Sequence, residues 1–179
     1  MTLDVLAVEA FTEGRLNRDD AETQRQLDAA LAAARGYCGW HVTPVDTGAQ
    51  VTVDGTGGAL LALPTLALSA VTAVVEDGVE LDVDTLEWSL RGLVRKPYGQ
   101  LWTTRFSGVT ATITHGYASA PDFESAVLSA IERGTFAAGG GETPRVIGPF
   151  QYASATSAGA LFTDPERAVL DRYALERMP

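Results

Sequence analysis

The chain has 179 residues and a single cysteine, Cys38, so it is long enough to bury a full core and has no intrachain disulfide. Its formal charge of −10 is spread evenly, with −4 on residues 1–50, −3 on 51–120 and −3 on 121–179. That lacks the basic footprint needed to grip nucleic acid, although like charge suits a surface that nucleic acid only passes. No basic segment precedes an apolar run at the N-terminus. The longest apolar patch, Ala59 to Val75, is interrupted by Pro64 and by Thr and Ser. Neither a signal peptide nor a membrane span is therefore expected, and synthesis in a reducing cytoplasm is.

Thr2 to Phe11 reads as a short helix, with Thr2 as a possible cap and Leu3, Leu6 and Ala10 at helical spacing. Asn17 to Gly39 reads as a strong one. Leu27, Leu31, Ala34 and Cys38 share a face, Asn17 or Asp19 can cap the start, and Asp20 and Glu22 suit the positive end of the helix dipole. Gly39 is a natural left-handed stop, with Gly36 an earlier alternative. After Trp40 the period changes to two. His41 to Thr43, Gln50 to Asp54, Leu60 to Leu63, Ala67 to Glu76, Leu86 to Leu90, Leu93 to Arg95 and Val109 to Thr114 read as short strands. Asp77-Gly78 marks a hairpin turn, because both positions tolerate positive φ. Such a series of strands suggests a small antiparallel sandwich or barrel-like unit. Helical sequence returns after Pro121, with Phe123, Val127, Ala130, Ile131 and Gly134 in one stripe. Gly139 to Gly141 reads as a hinge, Pro144 to Tyr152 as extended, and Ala153 to Ala160 as mobile. Thr163 to Arg177 reads as a terminal helix, opened by a Thr163/Glu166 capping box with Pro165 in the first turn. An amphipathic helix on such a tether suits docking on another chain.

The expected fold class is thus α+β: a helical bundle of two long helices with short N- and C-terminal helices, and a small antiparallel β unit inserted. The expected frame is residues 1–40 and 118–179, and the expected inserted unit is 41–117.

Motifs for catalysis are lacking. There is one lysine, Lys96, and no phosphate-binding loop. His41 and His115 are the only histidines, and neither sits at metal-ligand spacing. Cys38 and His41 are three residues apart, but the helix end falls between them, so a buried thiol explains Cys38 better than a nucleophile. Asp19-Asp20 and Glu76-Asp77 fit a helix start and a turn rather than a pair of catalytic acids. Trp40, Trp88 and Trp102 suit core or interface positions, with a carbohydrate platform as the alternative. No catalytic residue, cofactor or metal site is expected.

Taken in order, several pieces resemble one family. They are Phe11-Thr12-Glu13-Gly14-Arg15-Leu16, Arg35-Gly36-Tyr37-Cys38-Gly39-Trp40-His41-Val42 followed by Pro44, and Leu86-Glu87-Trp88 with Gly92 and Arg95. Val109 to Tyr117 with Pro121, Arg145 to Tyr152, and Thr163 to Tyr173 complete the set. The chain resembles the head-to-tail adaptor (connector) proteins of tailed bacteriophages, especially those infecting actinobacteria. It departs from them at Lys96-Pro97-Tyr98, where a more polar loop would precede Trp102. The resemblance implies a non-enzymatic virion protein located at the head–tail neck. It would form a homo-oligomeric ring, often a dodecamer, under the portal protein, and join the portal to a downstream neck protein (a stopper or tail terminator). Genomic DNA would pass through its lumen without sequence-specific binding, and no membrane would be involved. The family's C-terminal segment is a portal-docking arm, which in this sequence places Phe162, Val169, Leu170 and Tyr173. Deleting Gly159 to Pro179 is then expected to leave a folded protein that no longer joins the portal. The competing reading is a non-catalytic carbohydrate- or protein-binding β module of a virion or surface protein.

Overall fold

The computed structural model describes residues 3–97, 99–138, 146–147, 150–151 and 161–176. The chain divides into two compact units, one of Met1–Ala34 with Pro121–Arg172 and the other of Arg35–Ala120 with Tyr173–Pro179.

The first unit is helical. Helix α1 is Val5–Phe11, capped by the Asp4 carboxylate, which accepts from the Ala7 amide at 2.9 Å. The cap lies two residues later than Thr2. The buried side chains are therefore Ala7 and Val8, and Leu6 is left exposed. Helix α2, Ala21–Cys38, starts beyond Asn17, with the Asp20 carboxylate accepting from the Glu22 amide. Its buried positions are Thr23, Leu27, Ala30, Ala34 and Cys38, so the face is as narrow and small as expected, but Leu31 sits at its edge. Helix α3, Pro121–Ala138, buries Phe123, Val127, Ala130 and Ile131, with Asp122 and Glu124 in its first turn. Helix α4 is Asp164–Leu170 and runs into a 3-10 turn at Asp171–Tyr173. Among the helices, α1 and α4 both lie alongside α3.

The second unit is built on strands. β1 (Asp46–Val53), β7 (Val109–His115), β3 (Leu68–Glu76) and β4 (Val79–Leu81) form one antiparallel sheet in the order β1-β7-β3-β4. β2 (Leu60–Ala62), β6 (Leu93–Arg95) and β5 (Glu87–Trp88) form a second, in the order β2-β6-β5. The alternation in the sequence explains the first sheet directly. Val109, Ala111, Ile113 and His115 point inward from β7, and Thr110, Thr112 and Thr114 point outward. Asp77 and Gly78 both take positive φ, 51° and 84°, and close the β3–β4 hairpin as the pair predicts. The core combines Leu68, Val71, Val74, Val109 and Ile113 with Leu61 and Val94 of the second sheet and with Trp102 from the stretch between β6 and β7, so both sheets contribute to one interior.

The helical bundle expected from the sequence is overturned. Among the described residues, four helices accompany the seven strands of these two antiparallel sheets, making a mixed α+β fold with substantial sheet. The reason lies in the alternating segments. They are long enough to fill a core of their own, whereas α1 and α4 have only seven residues each. Two local expectations also fail. His41 to Thr43 is not a strand, because Val42 takes φ 63°. The terminal helix ends at Leu170 rather than Arg177. Strands β8 (Val146–Ile147) and β9 (Phe150–Gln151) pair within the stretch expected to be extended. The hinge at 139–141 and the small-residue run 153–160 lie outside the described residues.

Candidate interaction site

The sequence singles out the junction after α2 and the C-terminal segment. At the junction, α2 ends where Gly39 takes φ 80°, a conformation glycine adopts without strain. Arg35, one turn earlier, reaches past that stop. Its Nε donates to the His41 carbonyl at 3.0 Å and its guanidinium donates to the Thr43 carbonyl at 2.8 Å. Tyr117 grips the same turn from the other side: its amide donates to the Val42 carbonyl at 2.8 Å, and its own carbonyl accepts from the Thr43 hydroxyl at 3.1 Å. These bonds hold Val42 in a left-handed conformation that a β-branched residue disfavours. The segment from Arg35 to Pro44 is thus a clamped turn, and Cys38 within it is buried.

Aromatic rings gather on this turn. Trp40 packs edge-on to Tyr117 with centroids 5.8 Å apart, and Tyr117 in turn meets Tyr173 at 5.7 Å. The Trp40 indole N–H donates to the Tyr173 carbonyl at 2.6 Å, and the Leu175 amide donates to the Cys38 carbonyl at 2.8 Å. Residues 173–175 are therefore fastened to the turn by two backbone acceptors and one ring contact. His41 and His115 lie in the same cluster with ring centroids 5.7 Å apart, and His41 Nε2 donates to the Pro44 carbonyl.

Burial lowers the His115 pKa from its ordinary value of 6.5. His41 adds to the shift and Asp46 opposes it. His115 Nδ1 is buried without a hydrogen-bond partner among the described residues, so a proton there would go unsatisfied. The folded state therefore binds fewer protons than the unfolded state as pH falls below 6.5, and stability falls with it. In urea unfolding between pH 8 and 5, His115→Gln is expected to flatten this loss, and an unchanged slope would refute the assignment.

The four residues expected to form a docking arm are not presented together. Leu170 is fully buried and Phe162 is buried, whereas Val169 and Tyr173 are half-buried. Residues 161–172 of the segment are held within the helical unit. Arg133 donates to both carboxylate oxygens of Glu166, at 2.9 and 2.7 Å, and to the Leu161 carbonyl at 3.0 Å. Arg172 pairs with Asp122 at 3.4 Å. The capping box forms as its sequence predicts, with Glu166 accepting from the Thr163 amide at 2.7 Å. Burial alone would raise the Glu166 pKa, but hydrogen bonds from Arg133 and Thr163 outweigh it and hold the carboxyl below its ordinary range. Within the segment Leu161 is exposed and Val169 is half-buried.

The remaining chemistry-bearing residues are structural in placement. Lys96 is buried in an ion pair with Glu76, donates to the Leu101 carbonyl at 3.0 Å, and lies 4.7 Å from the Trp102 ring centroid. Nothing in the sequence pattern announces that pair beyond the solitary lysine. Trp40 and Trp102 are buried and Trp88 is 38% exposed, so the three rings make no open platform for a sugar. Among the described residues no cluster of His, Cys, Asp and Glu is arranged to hold a metal ion, and no helix is long and apolar enough to cross a membrane.

No protein-family model and no curated protein matches this sequence. Solved structures do. A chain from the neck of a native gene transfer agent (GTA) particle, computed with C12 symmetry, matches with a TM-score of 0.61 at 17% identity, covering 100% of this chain and 94% of that one. A chain from the neck of an empty GTA particle, computed with C6 symmetry, matches with a TM-score of 0.57 at 20% identity, covering 100% and 95%. End to end, therefore, this chain has the fold of chains found in the necks of GTA particles.

Proposed function

We propose that this chain is a structural, non-enzymatic subunit of the neck of a tailed phage-like virion. The observation that carries the reading is the match to chains from symmetric neck assemblies along the whole of this chain. In finer detail the chain is a head-to-tail adaptor. Twelve copies form a ring under the portal protein, join it to the downstream stopper or tail terminator, and line part of the DNA channel. The dispersed charge of −10 supports a lumen through which DNA slides without sticking. The ordered series of adaptor-like motifs supports the assignment within the neck.

The C-terminal segment that contains Phe162, Val169, Leu170 and Tyr173 is the portal-docking arm. In the free chain Phe162 and Leu170 hold it in place, so docking uses its accessible apolar residues, Leu161 and Val169. The double substitution Leu161→Asp with Val169→Asp tests this. Binding to portal rings should fall at least tenfold while the unfolding midpoint changes little, because two exposed or half-exposed positions are altered. Full binding by the double variant would refute the arm.

A further inference from the structure

The sheet β1-β7-β3-β4 has two open edges. β1 borders it on one side and β4 on the other, and among the described residues no backbone bond joins either outer edge to another element. On β7, the Thr112 and Thr114 carbonyls accept from the Thr72 and Ser69 hydroxyls of β3 at 3.1 and 3.0 Å, so Ala111 and Ile113 turn their backbones to β1. Gln50 and Thr52, opposite Thr112 and Thr110, therefore turn amide and carbonyl to the open edge. On the far side, the two-residue Asp77-Gly78 turn makes Glu76 and Val79 a bonded pair, which leaves the Glu80 backbone facing outward. Open edges are commonly blocked by charge, proline or a bulge. The β1 bulge lies between Thr47 and Ala49, and from Ala49 to Val53 the strand has neither charge nor proline.

The two edges fit one another. Every neighbouring pair in the sheet is antiparallel, so β1 and β4 run in opposite directions. A second copy, rotated about an axis along the strands, keeps those directions, and its β1 continues the antiparallel ladder beside β4. An odd number of strands would instead bring like directions together. The residues also align across the sheet. Val53 lies in one row with Val109, Glu76 and Val79, and Val51 in one row with Ala111, Val74 and Leu81. These side chains share the core face, yet Val51, Val53 and Leu81 are only partly buried and Val79 is 64% exposed. The apolar core thus runs out to both edges and is closed at neither. Charge does not oppose the pairing. Glu80 shares its row with Thr52, and the one charged residue of β1, Asp46, is six positions away, about 20 Å along a strand and beyond the reach of unscreened repulsion.

We infer that β4 of one copy pairs with β1 of the next, Glu80 opposite Thr52, so that the sheet continues from subunit to subunit and Val53 and Val51 cover Val79 and Leu81. This rests on the neck-ring reading above and names one of its interfaces; two different patches are what a head-to-tail contact that closes into a ring requires. To test it, full-length Glu80→Cys and Thr52→Cys chains with different tags are mixed on the portal protein of the particle and treated with a short bis-maleimide. Both substitutions lie on the outer face and leave in place the backbone and the valines that make the contact. The native chain serves as control, since Cys38 is buried. Mixed dimers are expected in at least fivefold excess over like-with-like pairs. A Thr52→Pro chain, which lacks the outward amide, should form rings at least tenfold less readily than the native chain. Val79→Lys, at an exposed position, should do the same with an unchanged unfolding midpoint, and it decides the matter if the proline variant does not fold. If native rings form but mixed dimers are not enriched, or Val79→Lys forms rings as well as the native chain, the contact is wrong and the ring stands. A predominance of Thr52→Cys pairs with themselves would show β1 meeting β1 and would equally overturn it. If the native chain forms no rings with the portal up to millimolar concentration, the ring reading fails and this contact falls with it.

Discussion

Replacing Lys96 with methionine is expected to cost about 3–5 kcal/mol of stability, as removal of one partner from a buried ion pair generally does. Lys96 and Glu76 are both withdrawn from water, with side chains 8% and 13% exposed. The lysine donates to Glu76 and to the Leu101 carbonyl, and its charge lies over the Trp102 ring. Glu76 also accepts from the Thr103 amide at 2.7 Å, so the pair pins the approach to the loop that carries Phe106. With methionine at 96 the Glu76 carboxylate keeps only that amide and stays buried. The paired substitution Lys96→Met with Glu76→Gln should recover much of the loss, because no uncompensated charge is then left inside. Urea midpoints of the native chain, the single variant and the double variant decide this. A single variant within about 1 kcal/mol of native would mean that the site is far wetter than its burial indicates.

Truncation before residue 159 should damage the fold, not merely detach a tail. The sequence alone suggests a tethered helix that can be removed cleanly, but the structure alters that expectation. Leu170 is fully buried and Phe162 nearly so. Large-to-small changes at such positions cost about 2–5 kcal/mol each. The deletion also strands Arg133, which loses both Glu166 oxygens, and removes the Tyr173 carbonyl that accepts from Trp40. Against a typical domain stability of about 5–15 kcal/mol, these losses leave the truncated chain largely unfolded or sharply destabilised. Circular dichroism and a urea titration of residues 1–158 check this. A native-like midpoint would show that the segment contributes little, and would restore the simple tether.

The parts of the fold legible in the sequence were those that depend on local pattern. The Val109–Ile113 alternation, the Asp77-Gly78 turn, the Gly39 stop and the Thr163/Glu166 box each rest on a few neighbouring residues, and each is seen. The balance between helix and sheet was not legible. It depends on how far Leu61 and Val94 from one sheet, with Trp102 from a loop, complete the interior of the other, a long-range fact that periodicity does not carry. The candidate site was legible in part. Arg35 to Pro44 stood out as a junction, yet its physical content lies in partners far along the chain: Tyr117, Tyr173 and Leu175. The clamp on Val42 shows why a β-branched run did not become a strand, since Arg35 and Tyr117 take up the carbonyls that a neighbouring strand would have used. For the arm, amphipathicity identified the apolar residues but not their destination. A face that could meet a partner is spent, at Phe162 and Leu170, on the chain's own interior.

The central claim, that this chain is a ring-forming neck subunit, is tested most directly by negative-stain imaging of the full-length protein mixed with the portal protein of its own particle. The account predicts closed rings of this chain seated coaxially on the portal, with rotational symmetry in class averages. Monomers that leave the portal rings bare across the accessible concentration range would contradict it.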